Sequence, residues 1–196
     1  MIKLKNFIFA NRSYTPIPLF ILILYFSSIK YPFYIIGLSL ILLGEYIRIC
    51  AVRYAGGRTR TRKVGAPSLT VSGPYSICRN PLYLGNIIIY IGVVFLAGGP
   101  YLKELVVIVF AFFCIQYALI ISLEEQVLKQ IFKDEYLNYC LKVPRLLPKG
   151  TTWVHSSESQ LSLIKTFKTE KRTLQNIGLV ILFILIKPHI LAYFQW

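Results

Sequence analysis

The chain has 196 residues, of which 56% are hydrophobic and 15% charged, and its net charge is +14. Soluble domains usually hold about 25% charged residues, so the composition excludes an ordinary soluble domain and points to a small all-α membrane protein. The basic excess does not indicate nucleic acid, because lysines and arginines flank apolar segments rather than forming a stripe with interleaved aromatics.

Five apolar stretches follow in chain order: residues 16–29, 31–51, 82–99, 104–123 and 174–194. A spanning helix needs about 20 largely apolar residues. The second, third and fourth stretches meet that length, and the first needs its flanks. The fifth is interrupted by Lys187, Pro188 and His189, which places its last turn at the interface. None has the charged start, short apolar centre and small-residue cleavage site of a signal peptide. The expected architecture is therefore a polytopic helix bundle of about five transmembrane helices.

Charge placement orients it. With a cytoplasmic N-terminus and five spans, the basic residues on the cytoplasmic side include Lys3, Lys5, Arg12, Arg58, Arg60, Arg62, Lys63 and Arg79. The segment after the fourth span adds nine more, from Lys129 to Arg172. Only Lys30, Lys103 and Lys187 fall outside, a strong positive-inside bias. Short links at Lys30-Tyr31-Pro32 and Gly98-Gly99-Pro100 predict two tight helical hairpins. The short chain suits a prokaryotic plasma membrane. Both long polar connections then face the cytosol.

Cys50, Cys78, Cys114 and Cys140 are scattered with no C-x-x-C pair, and the histidines, His155 and His189, are isolated. These suit structural thiols rather than a metal centre or a Ser-His-Asp arrangement.

Polar chemistry concentrates in two places. "SGPYSICRNPLYLGN", residues 72–86, crowds turn formers, an arginine and tyrosines at the start of the third apolar stretch. "LEEQVLKQIFKDEYLNYCLKVPRLLP", residues 123–148, begins with adjacent carboxylates where the fourth stretch ends. Anions beside hydrocarbon call for cations. Leu128, Phe132 and Tyr136, widened by Val127 and Ile131, form the apolar stripe of an amphipathic helix at or near the membrane surface. That helix is predicted to stop before Val143-Pro144, where proline imposes an extended path.

Together the two segments resemble the isoprenylcysteine carboxyl methyltransferase and phospholipid methyltransferase superfamily. The likeness rests on GPYSICRNPLYLG, a helical hairpin, and then the Glu124-Glu125 pair with its Tyr136, Tyr139 and Val143-Pro144-Arg145 continuation. It covers residues 44 to 148. Where the family usually reads Arg-His-Pro, this chain has Asn80, which can hydrogen-bond but cannot carry a proton near neutral pH.

The resemblance implies an integral membrane enzyme that uses S-adenosylmethionine and methylates a lipophilic small molecule or lipid-anchored acceptor drawn from the membrane lipids. Residues 1–150 would be the methyltransferase core, and 151–196 a cytosolic amphipathic linker with a C-terminal membrane helix. It implies a catalytic set of Arg79, Glu124 and Glu125. Arg79 would pair with the cofactor carboxylate, and Glu124 or Glu125 would meet its ammonium or sulfonium. Tyr75, Tyr83 and Tyr136 would offer hydroxyls and cation-favouring faces. Gly73 and Gly85 would admit the ligand close to the backbone, with Asn80, Pro81 and Arg145 completing the cofactor site. The acceptor stays open among a carboxylate, a thiol-derived group and a lipid amine. Two other readings also remain: a sterol-reductase-like enzyme using NADPH, and a non-catalytic membrane scaffold.

Overall fold

The structure, a computed structural model, describes residues 2–56, 65, 68–148, 153 and 160–194. Arg58, Arg60, Arg62, Lys63 and His155 lie outside the described residues. Among the described residues six α-helices follow one another: α1 (Ile2–Asn11), α2 (Ile17–Tyr25), α3 (Phe33–Ala55), α4 (Pro81–Ala97), α5 (Leu102–Lys142) and α6 (Leu163–Phe194). Among the described residues there is no strand, only an isolated bridge between Ser28 and Gly98.

Helix length alone does not establish five spans among the described residues. α3 and α5 are long and apolar enough to cross a membrane, and α4 is a shorter apolar helix of 17 residues. α2, at nine residues, covers about 14 Å at 1.5 Å per residue, under half of a hydrocarbon core of about 30 Å. The predicted interruption near Pro188 is also corrected, because α6 runs through it. Lys187 is held there by donating its Nζ to the backbone oxygens of Tyr25 at 2.6 Å and Ser27 at 3.0 Å. A cation near a helix C-terminus satisfies carbonyls that have no partner of their own.

The closest helix pair is α3 with α4. Gly37 and Gly44 on α3 meet Gly92 and Gly85 on α4, so the glycines repeat every seven residues on facing helices. A Cβ built on Gly44 would lie 2.7 Å from Gly85 O, and one on Gly92 would lie 2.8 Å from Gly37 O. Small residues let two helix backbones approach where apolar packing against lipid gives no preference for association. The predicted hairpin after α4 is present too: Gly98 and Gly99 have φ values of 62° and 95°, and Ser28 N–H donates to Ala97 O at 2.8 Å.

α5 unites what the sequence divides into a span and a separate surface helix. Its 41 residues run from the apolar segment 102–123 into the polar segment beyond, with a kink at Lys133, where φ is 43°. The stripe on that second half meets protein rather than lipid alone. Leu128 and Phe132 pack with Val71, Tyr136, Tyr139 and Val143, so the stripe covers the loop that leads into the first motif. The helix ends at Lys142, and Val143 is extended before Pro144, as expected.

Candidate active site at the junction of two motifs

The first motif begins as a 3-10 turn over Gly73–Ser76. Gly73 has a φ of 60°, and the Tyr54 ring fills the space where its Cβ would stand. Ser76 Oγ closes the turn by donating to Gly73 O at 2.7 Å. α4 then starts at Pro81, whose missing N–H costs nothing in a first helical turn. Asn80 occupies the capping position, yet makes no side-chain cap. Its Nδ2 donates instead to Arg145 O at 2.8 Å.

That bond is one of several joining residues 75–80 to residues 139–146. Arg79 N–H donates to Pro144 O at 2.9 Å. Cys78 Sγ donates to Leu146 O at 2.9 Å, and Tyr139 Oη donates to Tyr75 O at 2.6 Å. Burial pushes the Tyr139 hydroxyl and the Cys78 thiol up, so both stay protonated as donors near neutral pH. The extended path after Val143 is what exposes these backbone carbonyls. A continuing helix would have bonded them internally.

At the centre of the junction, Glu125 is buried between two guanidinium groups. Arg145 approaches in forked geometry, with Nε 3.1 Å from Oε1 and Nη2 2.5 Å from Oε2. Arg79 Nη2 lies 3.2 Å from Oε1. The hydrogen bond to Glu125 holds the half-exposed Arg145 above the usual guanidinium range. Two cations against one carboxylate leave local positive charge. Arg79 also keeps a buried Nε with no hydrogen-bond partner among the described residues, an arrangement suited to a further carboxylate.

Glu124 faces elsewhere. Its Oε1 accepts a 2.8 Å hydrogen bond from Tyr83 Oη. Burial pushes this carboxyl, one residue past the apolar part of α5, up to about 7, while the Tyr83 bond and the Arg12 charge pull it down. Tyr83 stacks on Tyr117 with ring centres 4.7 Å apart. Tyr75 packs with Ala51 and Ala55, and Tyr136 is buried beside Tyr139. The space beside Gly85 is taken by Gly44 O and Arg48, so its missing Cβ serves the α3–α4 contact.

The structure thus brings Tyr75, Arg79, Asn80, Glu125 and Arg145 to one junction, with the Tyr83–Glu124 pair on another side of the same α4–α5 pairing. Sequence reasoning assigned no role to Arg48 or to Glu170. Arg48 is buried and touches Asn86, Glu170 and Thr173. The available signal was Glu45 and Arg48, three apart within an apolar stretch: ionisable groups rarely sit there without a use.

The phospholipid methyltransferase family profile matches residues 32–135. Protein-S-isoprenylcysteine O-methyltransferase B of Arabidopsis thaliana is 32% identical over 64% of this chain and 66% of its own length. The Xenopus laevis protein-S-isoprenylcysteine O-methyltransferase is 34% identical over 58% and 40%. Cobalt-zinc-cadmium resistance protein CzcN of Cupriavidus metallidurans is 28% identical over 65% and 56%. The chain therefore matches between two fifths and two thirds of the length of these relatives. No solved structure gives a significant match. With its matched region taking in the first motif, both adjacent glutamates and the α3–α4 pair, the chain belongs to the phospholipid methyltransferase family.

Proposed function

We propose that this chain is a membrane methyltransferase that takes S-adenosylmethionine from the cytosol and a lipophilic acceptor from the bilayer. The observation that carries the reading is the buried Glu125 between Arg79 and Arg145, formed where two separate family motifs meet. A structural ion pair alone needs one guanidinium. A second one, with an unpartnered buried Nε on Arg79, fits an amino-acid carboxylate.

Arg79 would hold that carboxylate, and Arg145 would keep Glu125 occupied so that Arg79 stays oriented. Glu124 would serve the cationic part of the cofactor, since the hydrogen bond its Oε1 accepts comes from a neutral phenol. Tyr83 would fix the carboxylate's direction, and Tyr75 and Tyr136 would line the apolar wall. Asn80 would hold the 144–146 segment against the first motif and move no proton. S-adenosylmethionine supplies a methyl carbon already activated on a sulfonium, which a nucleophile takes while the sulfur leaves as a neutral thioether. The protein's own task is then alignment and exclusion of water. The topology that suits this site has the N-terminus in the cytosol and residues 124–173 on the same side.

Membranes containing the protein are expected to transfer radiolabel from methyl-labelled S-adenosylmethionine into the organic-extractable fraction, and membranes with Glu125→Gln are expected to lose at least about 90% of it, a tenfold effect. Equal labelling by both, at equal protein level, would contradict the proposal.

A further inference from the structure

α6 opens with a segment, residues 163–173, whose two sides differ in chemistry. Thr166 and Glu170 are almost wholly buried. Glu170 Oε2 accepts from Arg48 Nη2 on α3 at 2.5 Å, and Thr173 Oγ1 accepts from the same nitrogen at 3.3 Å. At 100° per residue, Ile164, Lys168, Lys171 and Arg172 fall on the opposite side, flanked by Lys165 and Phe167. All six are exposed, Ile164 by 72% and Phe167 by 47%. The four bases have no carboxylate partner among the described residues. The acid of this segment, Glu170, is the residue turned inward.

α3 sets the depth of this face. It is long and apolar enough to cross a membrane, and its 23 residues cover about 34 Å, slightly more than a hydrocarbon core of about 30 Å. Arg53 belongs to its last turn, and Arg53 O accepts from Leu161 N–H at 2.8 Å. Five residues earlier, Arg48 meets Glu170. Residues 161–170 therefore run beside the end of α3, where a span of that length leaves hydrocarbon for the headgroups.

That depth selects the occupant. Bulk water suits the four bases and not Ile164 and Phe167, and hydrocarbon suits the reverse. A helix face that mixes them matches the interface, where apolar side chains enter the acyl boundary and long basic ones reach outward to phosphates. A nucleic acid would leave Ile164 and Phe167 unburied, and an acidic protein would have to enter the headgroup layer to cover them.

We infer that the outer face of α6 over residues 164–172 is a binding site for anionic phospholipid. Lys165, Lys168, Lys171 and Arg172 take the charged headgroup, and Ile164 and Phe167 lie in the acyl boundary. Each base near an anionic surface strengthens attraction several-fold, so four together select anionic over zwitterionic lipid. The site is separate from the cofactor residues and does not depend on the methyltransferase reading.

The test is native mass spectrometry of the full chain released from micelles holding equal amounts of phosphatidylglycerol and phosphatidylcholine with the same acyl chains. The native chain is expected to retain phosphatidylglycerol at least about tenfold over phosphatidylcholine. Lys165→Gln/Lys168→Gln/Lys171→Gln/Arg172→Gln, checked for folding by thermal unfolding, is expected to lose most of that preference. Lys168→Gln/Arg172→Gln gives a smaller loss in the same direction and serves if the larger variant does not fold. Ile164→Ser/Phe167→Ser is expected to weaken retention of phosphatidylglycerol while the headgroup preference stays. Inorganic phosphate at the lipid's concentration is expected to leave the lipid bound. Equal retention of the two lipids by the native chain, a preference unchanged in the folded base-to-glutamine variants, or displacement by inorganic phosphate would each overturn the inference. Retention of polyglutamate in place of the lipid would also overturn it and assign the face to an acidic protein.

Discussion

Glu124 and Glu125 are neighbours in sequence with different surroundings. Glu125 has its charge answered by Arg79 and Arg145, while Glu124 has a phenol and the charge of Arg12. A carboxyl raised to about 7 is largely neutral at pH 6 and largely anionic at pH 8. Only the anion attracts a sulfonium or ammonium group. Affinity for S-adenosylmethionine is therefore expected to rise as pH increases from 6 to 8, with a midpoint about 7, and Glu124→Gln is expected to flatten the profile. Calorimetric titrations at three pH values check this; an identical slope in the variant would remove Glu124 from the cation's surroundings. This division of labour was not legible in the sequence. Adjacent residues on a helix point about 100° apart, but their partners come from segments 20 and 41 residues away.

Among the elements, α3 and α4 set the site's geometry, because Arg48 rests on Gly85 and α4 begins with the motif itself. Gly92 sits one heptad further along α4, away from the candidate site residues. A leucine there has no room, since even a Cβ comes within 2.9 Å of Ile41 N. Overpacking of this kind costs about 1–3 kcal/mol or more. Gly92→Leu is expected to lower the thermal unfolding midpoint by several degrees and to weaken cofactor binding through displacement of α4; an unchanged midpoint would contradict the close helix contact. The apolar runs at 31–51, 82–99 and 104–123 made these helices readable, and Pro81, Gly98 and Gly99 marked two of their ends. The failures share a cause. The end of α2, the continuation of α6 through Pro188 and the packing of Leu128 and Phe132 toward Val71 all depend on contacts between segments distant in the chain. Lys187 looks like a break in a hydropathy profile, yet it caps another helix.

For the molecule as a whole, two motifs about 40 residues apart are proposed to close into one cofactor site on one side of a membrane. The order of the motifs and the family were legible from residue identities alone. The bonds that close the site were not, because most of them are made by backbone groups: Arg79 N–H, Arg145 O, Leu146 O and Tyr75 O. Arg48 and Glu170 were hidden for a related reason, their partners lying 122 residues apart. The measurement that bears most directly on the claim is isothermal titration of the purified full chain with S-adenosylmethionine and, separately, NADPH, repeated for Arg79→Ala. One-site binding of S-adenosylmethionine, no heat with NADPH, and at least about a tenfold loss of affinity in Arg79→Ala are the predicted results. Binding of NADPH alone, or an Arg79→Ala affinity equal to that of the native chain, would contradict it.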